Sequence, residues 1–171
     1  MSSVLEAEVR TRAGERCEYC LLPQAAYTRR FHIEHIVARQ HGGQTVLKNL
    51  ALACWFCNLK KGPNLSGIDP QTGAVVPLFN PREQGWSVHF SVQLQRGDVA
   101  GASGVVVAGK TPSGRATVNL LNMNDEFRQT LRARLAQEGL YVVPIKKTVG
   151  TLARFQSGIR NSRRNASRRA A

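Results

Sequence analysis

Phe31-His32-Ile33-Glu34-His35-Ile36-Val37, the turn Arg39-Gln40-His41-Gly42-Gly43, and Leu47-Lys48-Asn49-Leu50-Ala51-Leu52-Ala53-Cys54-Trp55-Phe56-Cys57-Asn58-Leu59-Lys60-Lys61-Gly62 decide the fold. In the first piece Phe31, Ile33 and His35 alternate with His32, Glu34 and Ile36, the period of a short strand whose two faces meet different surroundings. Gly42-Gly43 marks a turn. Leu50 and Leu52, with their flanking alanines, form a second short strand, and Trp55–Lys61 a short helix stopped by Gly62-Pro63. The order is strand, loop, strand, helix.

The cysteines Cys17, Cys20, Cys54 and Cys57 form two Cys-x-x-Cys pairs separated by 33 residues. Two thiolates on a tight turn reach one tetrahedral ion, and two such turns complete a closed four-sulfur site, so the spacing predicts structural zinc. The alternatives are disulfides and a redox dithiol. Disulfides belong to exported proteins, whereas Met1-Ser-Ser-Val-Leu-Glu6 has no apolar signal core, and a redox motif needs one copy rather than two. The zinc is expected to be architectural, fastening the segment after the first helix to the start of a later one.

With 171 residues and 18.8 kDa, the chain is long enough to bury a real core in one domain with an annex. Its 24 Lys+Arg against 11 Asp+Glu give a net charge of +13, which points to a polyanionic partner such as nucleic acid or an acidic membrane; nucleic acid is the partner expected here, with no small-molecule substrate. No apolar run approaches the roughly 18 residues of a spanning helix, so a soluble, cytoplasmic protein is expected and not a membrane one. The excess is uneven. Lys146, Lys147, Arg154, Arg160, Arg163, Arg164, Arg168 and Arg169 stand in a stretch without acids, which leaves +5 for the first 143 residues.

The stretch over residues 10–63 resembles the HNH endonuclease family, whose site is a ββα-metal finger often braced by a four-cysteine zinc. The resemblance rests on Glu34-His35 in the first strand, Gly42-Gly43, Asn49-Leu50 before the second, and Cys54-x-x-Cys57-Asn58-x-x-Lys61-Gly62. It implies an α+β fold and metal-dependent hydrolysis of DNA phosphodiester bonds, with duplex DNA as partner. His35 would be the general base, Glu34 and Asn58 the ligands of a catalytic Mg²⁺ or Mn²⁺, and Asn49 the side chain that holds the connecting loop. The implied products are a 5′-phosphate and a 3′-hydroxyl. Glu34 stands where Asp is commoner, and Asn58 is a frequent alternative to His.

Residue chemistry agrees independently of the name. A neutral imidazole accepts a proton at physiological pH, and Glu34 and Asn58 offer hard oxygens that suit Mg²⁺ or Mn²⁺ better than zinc. Arg39, Lys60 and Lys61 flank the site and are candidates for phosphate contact, although lysines in a last helical turn also favour the macrodipole. His32 is expected to pack rather than bind, His41 to be a solvated loop residue, and Trp55 and Phe56 to lie in the core. The competing readings are a zinc-finger module that binds nucleic acid without cutting, and a nuclease directed at RNA.

Residues 1–66 are expected to hold the nuclease domain, 67–143 an α+β extension, and 144–171 a basic, disordered tail that adds salt-sensitive phosphate contacts. Gly67-Ile-Asp-Pro-Gln-Thr-Gly73, Pro77-Leu-Phe-Asn-Pro-Arg82 and Trp86-x-x-His89-Phe90 resemble an extension found in one bacterial branch of the family. Residues 3–13 read as an amphipathic helix with Val4, Leu5, Val9 and Ala13 on one face. Val88, Phe90, Val92 and Leu94 read as a half-buried strand with His89 on its polar face, paired with Val105-Val106-Val107. Thr111-Pro112 starts a helix, and Asn124 caps another with Phe127, Leu131 and Leu135 on its apolar face and Arg128 and Arg132 on its polar one.

Overall fold

A computed structural model describes residues 2–96 and 103–141. Its mixed helices and small sheets are α+β, built around the hairpin expected from the alternating stretch. The Ser2 hydroxyl accepts from the Leu5 N–H at 3.3 Å and caps α1 (Ser3–Ala13); Gly14, at φ 56°, closes it by donating to the Arg10 and Thr11 carbonyls. Only Val9 of the expected apolar face is fully buried, while Val4 is exposed.

Strands β1 (His32–His35) and β2 (Leu50–Ala53) pair antiparallel, with Glu34 opposite Ala51 and His35 opposite Leu50. All four residues of β2 are buried, and both α1 and α2 (Trp55–Lys61) pack against it. Between the strands the chain folds back on itself. A Cβ added at Gly43 would fall 1.7 Å from the Val37 carbonyl oxygen, so only glycine allows that approach.

Beyond the finger, β3 (Ser66–Ile68) and β4 (Val75–Pro77) form a small hairpin. Its turn residue Asp69 is buried, and its carboxylate accepts the Arg115 fork at 2.8 and 2.7 Å, which ties the hairpin to α4 (Pro112–Leu120). Arg115 first, then Thr72 and the Gln71 amide, hold the Asp69 carboxyl well below its usual range against the effect of its burial. The Thr111 hydroxyl caps α4 and Pro112 occupies its first position, as the sequence predicts. β5 (Phe90–Arg96) and β6 (Ser103–Gly109) pair antiparallel, and α4 and α5 (Glu126–Gln137) pack on β6.

Three expectations for this region are corrected. The strand starts at Phe90; Val88 and His89 belong to the short helix α3 (Trp86–His89), where His89 Nδ1 pairs with Thr111 Oγ at 2.7 Å instead of facing solvent. Asp125, not Asn124, caps α5, because the Asn124 amide is spent on both backbone groups of Val107 at 2.9 Å. The expected polar face of α5 is not solvated: Arg128 and Arg132 are buried together with Leu135, Leu131 is half-buried against the core, and of the expected apolar face only Phe127 is exposed. The basic tail, residues 144–171, lies outside the described residues. No helix among the described residues is long and apolar enough to cross a membrane.

Candidate active site and metal centre

The four cysteines meet at the junction of two turns. After α1, Arg16 bridges to Pro23; the Cys17 N–H donates to the Leu22 carbonyl at 2.9 Å and the Leu21 N–H to the Cys17 carbonyl at 2.8 Å, with Leu21 at φ 62°. This places Cys17 and Cys20 on one tight knuckle. Cys54 is the N-cap of α2, and its Sγ accepts from the Cys57 N–H at 3.5 Å. Glu18 fastens the first knuckle to β2, since its N–H donates to the Leu52 carbonyl and its carboxylate accepts from the Leu52 N–H at 2.9 Å.

All four sulfurs are fully buried and lie within 4.8 Å of one another, with Cys20 and Cys54 at 3.8 Å. A zinc ion with Zn–S bonds of about 2.3 Å requires tetrahedral S···S edges of roughly 3.8 Å. The donor set therefore fits a structural zinc. As thiols, Cys17, Cys20 and Cys57 differ: burial pushes Cys17 well up, hydrogen bonds from Cys17 and its neighbours push Cys57 well up, and the hydrogen bond from Cys17 holds Cys20 well down. A divalent cation takes the place of those protons.

The finger's second site lies where α2 meets β1. The register that turns His35 to one face turns Glu34 to the other. There Glu34 is buried: its Oε1 is 2.8 Å from Lys61 Nζ and accepts from the Tyr19 hydroxyl at 3.0 Å. Its Oε2 is buried and has no hydrogen-bond partner. Burial pushes the Glu34 carboxyl up to about 7 although Lys61 and Tyr19 pull it down. Lys61 also donates to the His35 and Ile36 carbonyls, at 3.4 and 2.9 Å, so one ammonium ties the end of α2 to β1.

His35 is only partly buried, and its Nε2 lies 2.9 Å from Thr45 Oγ. Burial, followed by Arg39 and Lys61, lowers its pKa and keeps the imidazole neutral at physiological pH. With Nε2 engaged by a hydroxyl, Nδ1 is the nitrogen left for chemistry. Asn49 fixes the loop that carries Thr45: its Oδ1 accepts from the Val37 N–H at 2.9 Å, and its Nδ2 donates to the Val37 and Gln44 carbonyls at 3.0 and 2.9 Å. Asn58 is partly buried one helical turn before Lys61, on neighbouring positions of α2.

Arg39 and Lys60 are exposed, as phosphate-contacting residues must be. Lys61 is not: only 2% exposed, it serves as the counter-ion of Glu34 and cannot offer itself to a backbone phosphate. His32 and His41 are exposed. Trp55 is 37% exposed rather than in the core, with the Arg29 guanidinium 6.0 Å from its ring, while Phe56 is packed between Tyr27 and Phe127. Tyr19, Thr45 and the inward role of Lys61 were missed from the sequence. The position of Tyr19 between two zinc ligands was the one available sign, since a knuckle side chain must face either the metal or the finger.

Residues 17–64 match the family model described as HNH endonuclease. No curated protein and no solved structure matches the chain. An HNH domain points to a nuclease or another function related to nucleic acid.

Proposed function

From a chain whose residues 17–64 match the family model described as HNH endonuclease, we propose a metal-dependent endonuclease that hydrolyses phosphodiester bonds of duplex DNA. The observation that carries this reading is a partly exposed His35 held at Nε2 by Thr45, on the same short strand as a buried Glu34 whose Oε2, on the opposite face, has no partner. Glu34 and Asn58 would hold a Mg²⁺ or Mn²⁺, which when bound supplies the charge that neutralises the phosphate and the departing oxygen.

The protein's own groups do the rest. His35 Nδ1 accepts the proton of the attacking water, and the Thr45 hydroxyl keeps the ring in the orientation and tautomer that leave Nδ1 free. Asn49 is a positioning residue, because its amide is saturated by backbone. Arg39 and Lys60 bind the flanking phosphates, and the basic stretch beyond residue 143 adds contacts that weaken with salt.

One observation favours a second reading, a module that binds nucleic acid without cutting it: Glu34 Oε1 is already committed to Lys61 and Tyr19. Comparing wild type with Asn58→Ala on duplex DNA and on RNA separates the readings. Impaired metal-dependent cleavage of DNA by a variant that keeps its zinc supports the endonuclease. Equal cleavage by both proteins removes Asn58 as a ligand, cleavage of RNA alone reassigns the substrate, and retardation of DNA without cleavage by wild type favours the binding module.

A further inference from the structure

Arg128 and Arg132 are the largest fully buried side chains among the described residues; Arg128, 1% exposed and 71 residues from Cys57, points its Nη1 at the Cys57 sulfur at 3.5 Å. Every other polar edge of the guanidinium is also used. Nε lies 2.5 Å from Asp125 Oδ2, Nη2 donates to the Leu121 carbonyl at 2.6 Å and to the Asn122 carbonyl, and the face of the group stands 5.4 Å from the Phe56 ring centre. A tetrathiolate zinc centre carries two net negative charges, and burying them without a cation is unfavourable. Arg128 brings one positive charge into contact with a sulfur, and it brings α5 with it.

We propose that Arg128 is a positioning residue of the metal centre: its N–H···S contact and its charge raise the affinity of the four-cysteine site for zinc, and this contact couples metal loading to the seating of α5 on the finger. The knuckle is tied to the rest of the chain elsewhere, through Trp86 Nε1 of α3 to the Tyr19 carbonyl at 2.7 Å and through Tyr141 Oη, just after α5, to the Cys20 carbonyl at 3.0 Å. Those bonds reach the knuckle backbone, whereas Arg128 reaches a ligand atom. Groups that hold a metal ligand by hydrogen bonding typically change affinity 10–100-fold when removed.

The test uses the full chain with zinc, and with Co²⁺ as a spectroscopic substitute, after a metal assay of wild type has established one ion per chain. A wild type that binds no ion contradicts the zinc reading itself and the proposal with it. Chelator competition is expected to give Arg128→Met an affinity for zinc roughly 10–100-fold lower than wild type. In Arg128→Lys, which keeps the charge and gives up the fork, the loss is smaller, but the sulfur-to-cobalt charge-transfer band still moves. Hydrogen exchange in wild type is expected to slow over residues 126–137 on metal binding. Wild-type affinity and an unshifted cobalt band in both variants overturn the proposal, as does an equal loss of thermal stability with and without metal, which assigns Arg128 to packing alone. If Arg128→Met does not fold, the cobalt band of Arg128→Lys decides.

Discussion

Replacing Lys61 with Met tests whether the buried ammonium holds the site together. The side chain volume is nearly kept, and what disappears is the charge 2.8 Å from Glu34 and the donor to the Ile36 and His35 carbonyls. Both partners are at most 5% exposed, so solvent screens the pair little. Removing one member of such a pair destabilises by about 4 kcal/mol, and at about 3 °C per kcal/mol for a chain of this size the melting temperature falls by roughly 12 °C. The sign of the pH dependence follows from Glu34, whose native carboxyl is pushed up to about 7 from 4.5. A raised carboxyl disfavours folding by an amount that is absent below 4.5 and accrues as pH rises to its native value. Lys61 pulls that value down, so in Lys61→Met it lies above 7 and the penalty keeps growing beyond neutrality. Thermal unfolding of wild type, Lys61→Met and Lys61→Met/Glu34→Gln between pH 5.5 and 8.5 is the assay. The deficit is expected to widen above pH 7 in the single variant and to lose its slope in the double variant. A melting temperature like wild type at pH 8.5, or a slope that survives Glu34→Gln, refutes the reasoning.

Gly43→Ala is expected to unfold or misregister the loop, because its Cβ would overlap the Val37 carbonyl, and its melting temperature should fall well below that of Gly42→Ala, whose Cβ meets nothing within 4 Å and whose cost is confined to its left-handed φ of 79°. Equal stability of the two would contradict the close approach. With the divalent ion saturating, so that Glu34 stays ionised, the cleavage rate should decline on the acid side only below the ordinary histidine pKa of about 6.5, since burial, Arg39 and Lys61 lower the value for His35. An acid limb centred above neutrality would contradict His35 as base. Asn49→Ala removes three hydrogen bonds to the loop and should cost about 2–3 kcal/mol; chemical denaturation measures it, and a loss under 0.5 kcal/mol would contradict the clamp.

Local signals were legible where the chain spells its own geometry. The Cys-x-x-Cys pairs announced a cluster whose sulfurs lie within 4.8 Å, Thr111-Pro112 announced the start of α4, and Gly62 the end of α2. The loop clamp at Asn49 was legible only through the family resemblance, and the hydrogen bonds of its half-buried amide to Val37 and Gln44 agree with it. What could not be read depends on partners far along the chain. Lys61 in a last helical turn looks like a solvated lysine until Glu34 is placed beneath it, and Arg128 and Arg132 look like an exposed face until Cys57 and the Val105 carbonyl are brought to them. Periodicity placed Leu131 and Leu135 of α5 inward but misassigned Arg128 and Arg132 for the same reason, since it treats charge as exposure and has no means of seeing a buried counter-charge.

The most direct test of the account is incubation of wild type and His35→Ala with supercoiled plasmid in Mg²⁺, in Mn²⁺ and in EDTA. Nicked or linear DNA from wild type alone, and only with metal, is the predicted result; equal cutting by His35→Ala, or cutting by wild type in EDTA, would contradict it.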